Sequence, residues 1–311
     1  MTFLPPFPAA ADPATGTPVQ GSIALVGAGP GAADLLTLRA LRHLRAADAI
    51  FYDRLVDPAV LELSRPEAQR VFVGKEVGAC AWPQERIDAM IVAAARRGLR
   101  VVRLKSGDPS IFGRAAEELA AARAAGIPVE IVPGVTAASA AAAALGRPLT
   151  ERGETGALVI ATATCRPGEP APDLAAHLRP GTTLAVYMGA QAARTLARAI
   201  IAAGRPDGIE VEIVTAASTR AETALRTTLR AMAEGRIGPV AAPALILMRY
   251  TKGMAGCKDG PPDAARRETT AEGPASSPVR SAFTSAKVRP SPSRIASRTV
   301  SACQRSTAAS T

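Results

Sequence analysis

Short apolar runs rich in Val and Ile recur between residues 21 and 252, separated by segments whose leucines and alanines fall at helical spacing. Residues 23–26, 49–52, 71–73, 101–104 and 129–132 read as strands. Helical segments at 35–46 and 83–97 lie between them, the second opening at Pro83, a residue suited to a helix start. Such a series predicts a mostly parallel sheet covered by helices. At 146–156, Gly, Pro and charged residues interrupt the pattern. A second series follows, with strands at 158–161, 183–187, 210–214 and 244–248 and helices at 191–203 and 222–233. The expected architecture is α/β: two α/β/α domains, 21–145 and 157–252, joined by a hinge at 146–156 with a ligand cleft between them. The Pro/Ala-rich residues 1–20 are expected to be a flexible N-terminal segment. Residues 253–311 mix Ser, Pro, Ala and Arg without an apolar face and are expected to be disordered.

Composition narrows the function classes. With 48% hydrophobic and 21% charged residues among 311, the chain can bury substantial cores. Aromatics are only 3%, which disfavours a surface that stacks nucleic-acid bases. The net charge of +10 is unevenly spread, because residues 257–311 hold nine Lys/Arg against four acids, half the excess. A basic tail of this kind can touch RNA, but a solvated extension explains it more simply, and no specific nucleic-acid partner is expected. Cys80, Cys165, Cys257 and Cys303 form no CxxC pair, and no ligand cluster points to a metal. No run of about 18 apolar residues exists to span a membrane, and the N-terminus lacks a secretory pattern. A cytoplasmic protein is expected.

Three segments carry the candidate chemistry. Gly27-Ala28-Gly29-Pro30-Gly31 follows the first strand, and its glycines allow a tight turn with close ligand approach. Extended to Ala32 it also reads as G-x-G-x-x-A, a dinucleotide fingerprint, with Asp48 or Asp53 as the ribose-binding acid of a nicotinamide oxidoreductase. Pro30 and Gly31 fall where the phosphate-binding helix of that motif should begin, and an ordinary strand-to-helix turn fits equally well. Arg103-Leu104-Lys105-Ser106-Gly107-Asp108-Pro109 ends another strand in a turn suited to a polar, partly cationic ligand. Pro133-Gly134-Val135-Thr136-Ala137-Ala138-Ser139 leads into an alanine-rich helix that permits close approach.

Together with Tyr52-Asp53-Arg54-Leu55-Val56, Val73-Gly74-Lys75, Ile111-Phe112-Gly113-Arg114, Pro148-Leu149-Thr150 and Val186-Tyr187-Met188-Gly189, these segments resemble the tetrapyrrole methylases over about residues 21–250. The resemblance implies a homodimer that binds S-adenosylmethionine between two α/β domains and releases S-adenosylhomocysteine. It implies methylation of carbons 2 and 7 of uroporphyrinogen III to precorrin-2, for sirohaem or cobalamin. By position, the cofactor site comprises Pro30, Ser106, Gly107, Asp108, Ile111, Thr136, Ala137, Met188 and Ala217. Asp53 falls on the family's proton acceptor and Lys75 on its proton donor. Arg114, Glu117 and Arg152 fall on positions that hold the macrocycle, whose eight carboxylates suit guanidinium forks. Several positions depart from the family pattern: Ser106 and Ser110 in the turn, Ala115-Ala116 after Arg114, Glu76 and Cys80 after Lys75, Glu151, Thr164 and Arg249. These bear on substrate identity more than on the cofactor, so a divergent methylase of another precorrin-type tetrapyrrole is the alternative.

Overall fold

In the computed structural model, which describes residues 20–74, 82–165 and 168–256, the first series of elements forms a five-stranded parallel sheet. In chain order these elements are β1 (Ser22–Gly27), α1 (Leu38–Ala46), β2 (Ala49–Tyr52), α2 (Pro58–Leu61), β3 (Gln69–Phe72), α3 (Gln84–Arg96), β4 (Arg100–Lys105), α4 (Ala115–Ala124), β5 (Val129–Val132) and α5 (Ala137–Ala144). β1 is buried on both faces, as a central parallel strand requires. Thr37 caps α1 by accepting from Ala40 N, and Asp57 caps α2 by accepting from Ala59 N. Ala40 and Leu44 of α1 pack on one face of the sheet, against Val26, Val102 and Leu104. Ile87, Met90 and Ile91 of α3, with Ala115 and Ala122 of α4, pack on the other, against Ile23, Leu25, Phe51 and Val101.

The strand order is β3-β2-β4-β1-β5. β1 and β4 are therefore neighbours whose following connections leave in opposite directions, β1 towards β2 and β4 towards β5. A crevice opens at the carboxyl ends of two strands related in this way, and such switch points are where α/β sheets bind ligands.

The second sheet contains β6 (Ala157–Thr162), β7 (Thr182–Tyr187), β8 (Glu210–Thr215), β9 (Thr223–Thr228) and β10 (Ala244–Tyr250), in the order β6-β7-β10-β8-β9. Only β6 and β7 pair in parallel. Its helices are α6 (Leu174–His177), α7 (Ala193–Ala202), α8 (Leu229–Glu234) and α9 (Lys252–Gly256). The expected helix at 222–233 is corrected here. Its first half is the edge strand β9, and α8 starts only after Thr228 caps it. Leu225, Leu229 and Met232 imitate a helical face in sequence. The Thr-rich residues 223–228 instead pair with β8, where β-branched side chains fit the pleat.

The two sheets meet through α5, whose Ala138, Ala140 and Ala141 pack on Ala185, Val214, Leu245 and Leu247 of the second sheet. Residues 145–148 of the connection are bound to that same sheet: Leu145 O accepts from Arg226 and Pro148 O from Arg249. The chain remains helical to Gly256, slightly beyond the expected limit at 252. Residues 1–19 and 257–311, hence most of the expected N-terminal segment and tail, lie outside the described residues. No helix among the described residues is long and apolar enough to cross a membrane.

Candidate functional site

Three loops from the carboxyl ends of β1, β4 and β5 meet at glycines. Gly29 N donates to Gly107 O at 3.2 Å and Gly107 N to Gly29 O at 2.7 Å, forming an isolated bridge between the β1 and β4 loops. A Cβ on Gly27 would lie 2.6 Å from Gly134 Cα, and one on Gly134 would lie 2.2 Å from Gly107 O. No side chain fits at either position, because both obstacles are backbone. Gly107 differs. Its φ of +70° favours glycine, yet a Cβ there would meet nothing within 4 Å, so the turn faces open space.

Asp108 locks this arrangement. Its Oδ1 accepts from Ser110 N at 2.7 Å and its Oδ2 from Gly134 N at 3.0 Å, so one carboxylate closes its own turn and ties the β4 loop to the β5 loop. Ser106, Gly107, Asp108 and Ile111 are all half-buried along this segment.

The second sheet meets the same loops with the carboxyl ends of β7 and β8. Ser218 Oγ accepts from Ala32 N at 3.1 Å, and a Cβ on Gly31 would strike the Thr219 methyl at 2.6 Å, so the β1 loop lies directly on residues 217–219. Tyr187 OH bonds Thr136 Oγ1 at 2.5 Å and accepts from Ala138 N at 3.0 Å, pinning the start of α5. Its ring lies 5.3 Å from that of Phe112. Met188, Ala216, Ser218, Phe112 and Arg114 all take positive φ without being glycine. Backbone conformations of this kind are costly and gather at ligand sites. Met188 and Phe112 leave much of their apolar surface in solvent, at 51% and 42% exposure. Pro30, Ser106, Gly107, Asp108, Ile111, Thr136, Ala137, Met188 and Ala217 thus belong to five loops joined by these contacts. Glycine turns with partly exposed apolar side chains and strained backbone at their rim have the character of a small-molecule site.

Asp53 stands at the carboxyl end of β2, with its side chain 30% exposed. Its Oδ1 accepts from Leu55 N at 3.3 Å, and its Oδ2 lies 3.7 Å from Arg103 Nη2. Behind it is a buried cluster that the sequence reading did not include. Glu118, with no exposure, accepts from Arg103 Nε at 2.9 Å and from Lys105 Nζ at 2.8 and 2.9 Å. Burial and the neighbouring Arg103 push the Lys105 ammonium below its ordinary range, against the pull of Glu118. The available signal was alternation. Arg103 and Lys105 occupy the same inward-facing register as Val101, and Glu118 falls between Ala115 and Ala122 on the inner face of α4.

Other expected residues are placed differently. Arg114 and Glu117 form a bidentate pair with each other at 2.8 and 2.9 Å on the surface, so Arg114 is not a free cation. Arg152 is exposed in the turn 151–155 that precedes β6, at the opposite end of the strands from Tyr187, and is not among the gathered residues. Lys75, Glu76 and Cys80 lie outside the described residues. The nicotinamide reading loses Asp48: its carboxylate accepts from Arg100 N, Arg100 Nε and Arg65 at the amino ends of the strands, away from the glycine turn. After Gly31 the chain makes only a short 3-10 turn, Ala33–Leu35, and α1 begins at Leu38, so no helix points its amino end at that turn as a dinucleotide site demands. Among the described residues no group of three or more His, Cys, Asp or Glu could hold a metal.

Comparison with known proteins converges on one group. Residues 22–233 match the family model described as Tetrapyrrole (Corrin/Porphyrin) Methylases. The chain is 45% identical over 214 residues to a siroheme synthase of Tolumonas auensis, covering 69% of this chain and 46% of that one. It is 44% identical over 229 residues to siroheme synthase 1 of Serratia proteamaculans, covering 74% and 48%. It therefore spans about half the length of these curated relatives. Among solved structures, a uroporphyrin-III C-methyltransferase from Thermus thermophilus complexed with S-adenosylhomocysteine is 40% identical, with TM-score 0.64 over 74% of this chain and 97% of that one. A cobalt precorrin-4 methyltransferase of cobalamin biosynthesis is 29% identical, with TM-score 0.65 over 74% and 95%.

Proposed function

From the premise that the chain belongs to the tetrapyrrole (corrin/porphyrin) methylases, we propose that it transfers methyl groups from S-adenosylmethionine to carbons 2 and 7 of uroporphyrinogen III, giving precorrin-2 for sirohaem or cobalamin synthesis. The observation that carries this reading is the junction of five strand ends around the Gly29–Gly107 bridge. The bound sulfonium supplies an electrophilic methyl: a pyrrole carbon forms the new C–C bond as the C–S bond breaks and its electron pair stays on sulfur.

On this reading the protein's own contribution is mainly placement, since in-line approach of two bound reactants removes much of the barrier. Pro30, Ser106, Gly107, Asp108, Ile111, Thr136, Ala137, Met188 and Ala217 hold the cofactor. Asp108 acts largely indirectly, because both its oxygens serve Ser110 N and Gly134 N. Asp53 takes the proton that the methylated ring then releases, and Lys75 is its proposed donor counterpart. Arg114 must exchange Glu117 for a substrate carboxylate to hold the macrocycle. Arg152 would reach the substrate only at the other end of the second sheet. The working unit on this reading is a cytoplasmic homodimer.

Anaerobic incubation with enzymatically generated uroporphyrinogen III and methyl-labelled S-adenosylmethionine tests the reaction, and two incorporated methyl groups are expected by mass spectrometry. Binding of S-adenosylhomocysteine without methyl incorporation would move the substrate to another tetrapyrrole. Asp108→Ala unlocks the β4 and β5 loops and is expected to weaken S-adenosylhomocysteine binding by about tenfold or more, the loss of one or two charge-assisted hydrogen bonds. Unchanged affinity by calorimetry would remove Asp108 from the cofactor site.

A further inference from the structure

We infer that Glu118 is a positioning residue, which holds Arg103 so that one guanidinium nitrogen faces Asp53. The inference rests on the methyltransferase reading, in which Asp53 receives the substrate proton. Every nitrogen of the Arg103 guanidinium is engaged. Nε donates to Glu118 Oε1 at 2.9 Å, Nη1 to Leu104 O at 3.0 Å and Phe51 O at 3.4 Å, and Nη2 turns to Asp53 Oδ2 at 3.7 Å. Lys105 occupies both oxygens of Glu118, and Gln84 Nε2 approaches Oε1 at 3.4 Å, so the carboxylate has no freedom to rotate.

Stability alone does not account for this cluster. Taking three charges out of water is expensive, and apolar side chains of similar size would serve a core at least as well. Nor is the cluster neutral by itself, since two cations face one buried carboxylate. Two further carboxylates adjoin it: Asp88, which accepts from Gln84 at 2.8 Å on the α3 side, and Asp53 at the end of β2, which lies 3.7 Å from Arg103 Nη2. Among the described residues, Asp53 is the carboxylate besides Glu118 in ion-pair range of these cations, and Glu118 fixes the geometry by which Arg103 meets it.

The experiment is a double-variant cycle with Glu118→Gln and Asp53→Asn in the full chain, following anaerobic methylation together with S-adenosylhomocysteine affinity and thermal midpoint. Glu118→Gln is expected to lower kcat by about 100-fold, the scale of a misplaced reacting group, while KM and S-adenosylhomocysteine affinity stay within about twofold. Added to Asp53→Asn it should cost nothing further. Unchanged kcat, or losses that multiply in the double variant, would overturn the inference. Should Glu118→Gln fold poorly, Glu118→Asp keeps the charge but shortens the reach, and the same kcat deficit is expected at a near-normal midpoint. A crystal structure of the variant decides independently of activity: Arg103 should leave Asp53, and an Arg103 still in place would refute the role. A wild-type protein that binds S-adenosylhomocysteine yet methylates no tetrapyrrole would count against the function proposed above, leaving the crystallographic result to decide on Glu118.

Discussion

Behind the first sheet, Glu118 lies wholly buried between Arg103 and Lys105, and its influence reaches the crevice through Arg103 and Asp53. Glu212 of the second sheet is almost as buried, between Arg147 at 3.4 Å and Arg226 at 3.2 Å. Arg147 also holds Glu210 at 2.7 Å, Arg226 holds Leu145 O, and the buried Arg249 holds Pro148 O. This second cluster therefore fastens the connection between the two series to the amino-terminal part of β8 and its neighbours. Both carboxylates satisfy the same local rule, that a buried charge needs partners. They differ in what lies beyond the partners: a half-buried carboxylate at strand ends in one case, backbone carbonyls of a connecting segment in the other. Position relative to the carboxyl ends of the strands, rather than burial, separates a charge that can bear on chemistry from one that tethers.

The contrast breaks first if the crevice itself is not built as described. Gly134→Ala should have the largest effect, because its Cβ would be forced to within 2.2 Å of Gly107 O, a backbone atom with no easy escape. A loss of about 4 kcal/mol, in the range reserved for severe steric or network damage, is expected in denaturant unfolding, together with loss of S-adenosylhomocysteine binding. A variant with wild-type stability and affinity would mean that the three loops do not pack through their glycines. Next in size is Glu212→Ala. Removing one partner of a buried ion cluster strands the others, and about 3 kcal/mol is expected, the low end for such a loss because both arginines reach solvent. Here kcat of the folded fraction should not change. A fall in kcat comparable to that of Glu118→Gln would erase the distinction between the two clusters.

Much of this was legible in the sequence, for identifiable reasons. Apolar runs bounded by turn residues located the strands of the parallel sheet, and the glycine segments after β1, β4 and β5 marked the crevice, because backbone contact excludes side chains at Gly27 and Gly134 and a positive φ favours glycine at Gly107. β9 was hidden because Leu225, Leu229 and Met232 keep helical spacing while the pairing that makes residues 223–228 a strand is with β8, an interaction that local pattern cannot contain. Asp48 and Asp53 lie five residues apart and were equivalent as candidate acids. Four residues of strand separate them, and only topology reveals that one lies at the amino ends and the other at the crevice. Arg103 and Lys105 belong to a turn motif in the sequence, yet their inward register acquires a meaning only from Glu118 of α4 opposite them.

The smallest effect concerns Asp48 and sharpens the same contrast. Burial pushes its carboxyl up, but the Arg100 hydrogen bonds and charge, with Arg65, outweigh this and hold it below the ordinary 3.8. A folded value below the unfolded one means that the unfolded chain binds the proton more readily. The stabilisation is therefore complete above the ordinary value and lost as the pH falls through the lower, folded one. Asp48→Asn should cost about 1 kcal/mol near neutrality, modest because Arg100 is largely exposed, and the gap to wild type should close as unfolding is measured at progressively lower pH below about 3.8. Because this clamp joins Arg100 and Arg65 at the amino ends of the strands, kcat should be unaffected at every pH where the protein is folded. If Asp48→Asn lowers kcat as Glu118→Gln does, distance from the carboxyl ends is not what insulates a charge from the chemistry, and the assignment of Glu118 loses its basis along with that of Glu212.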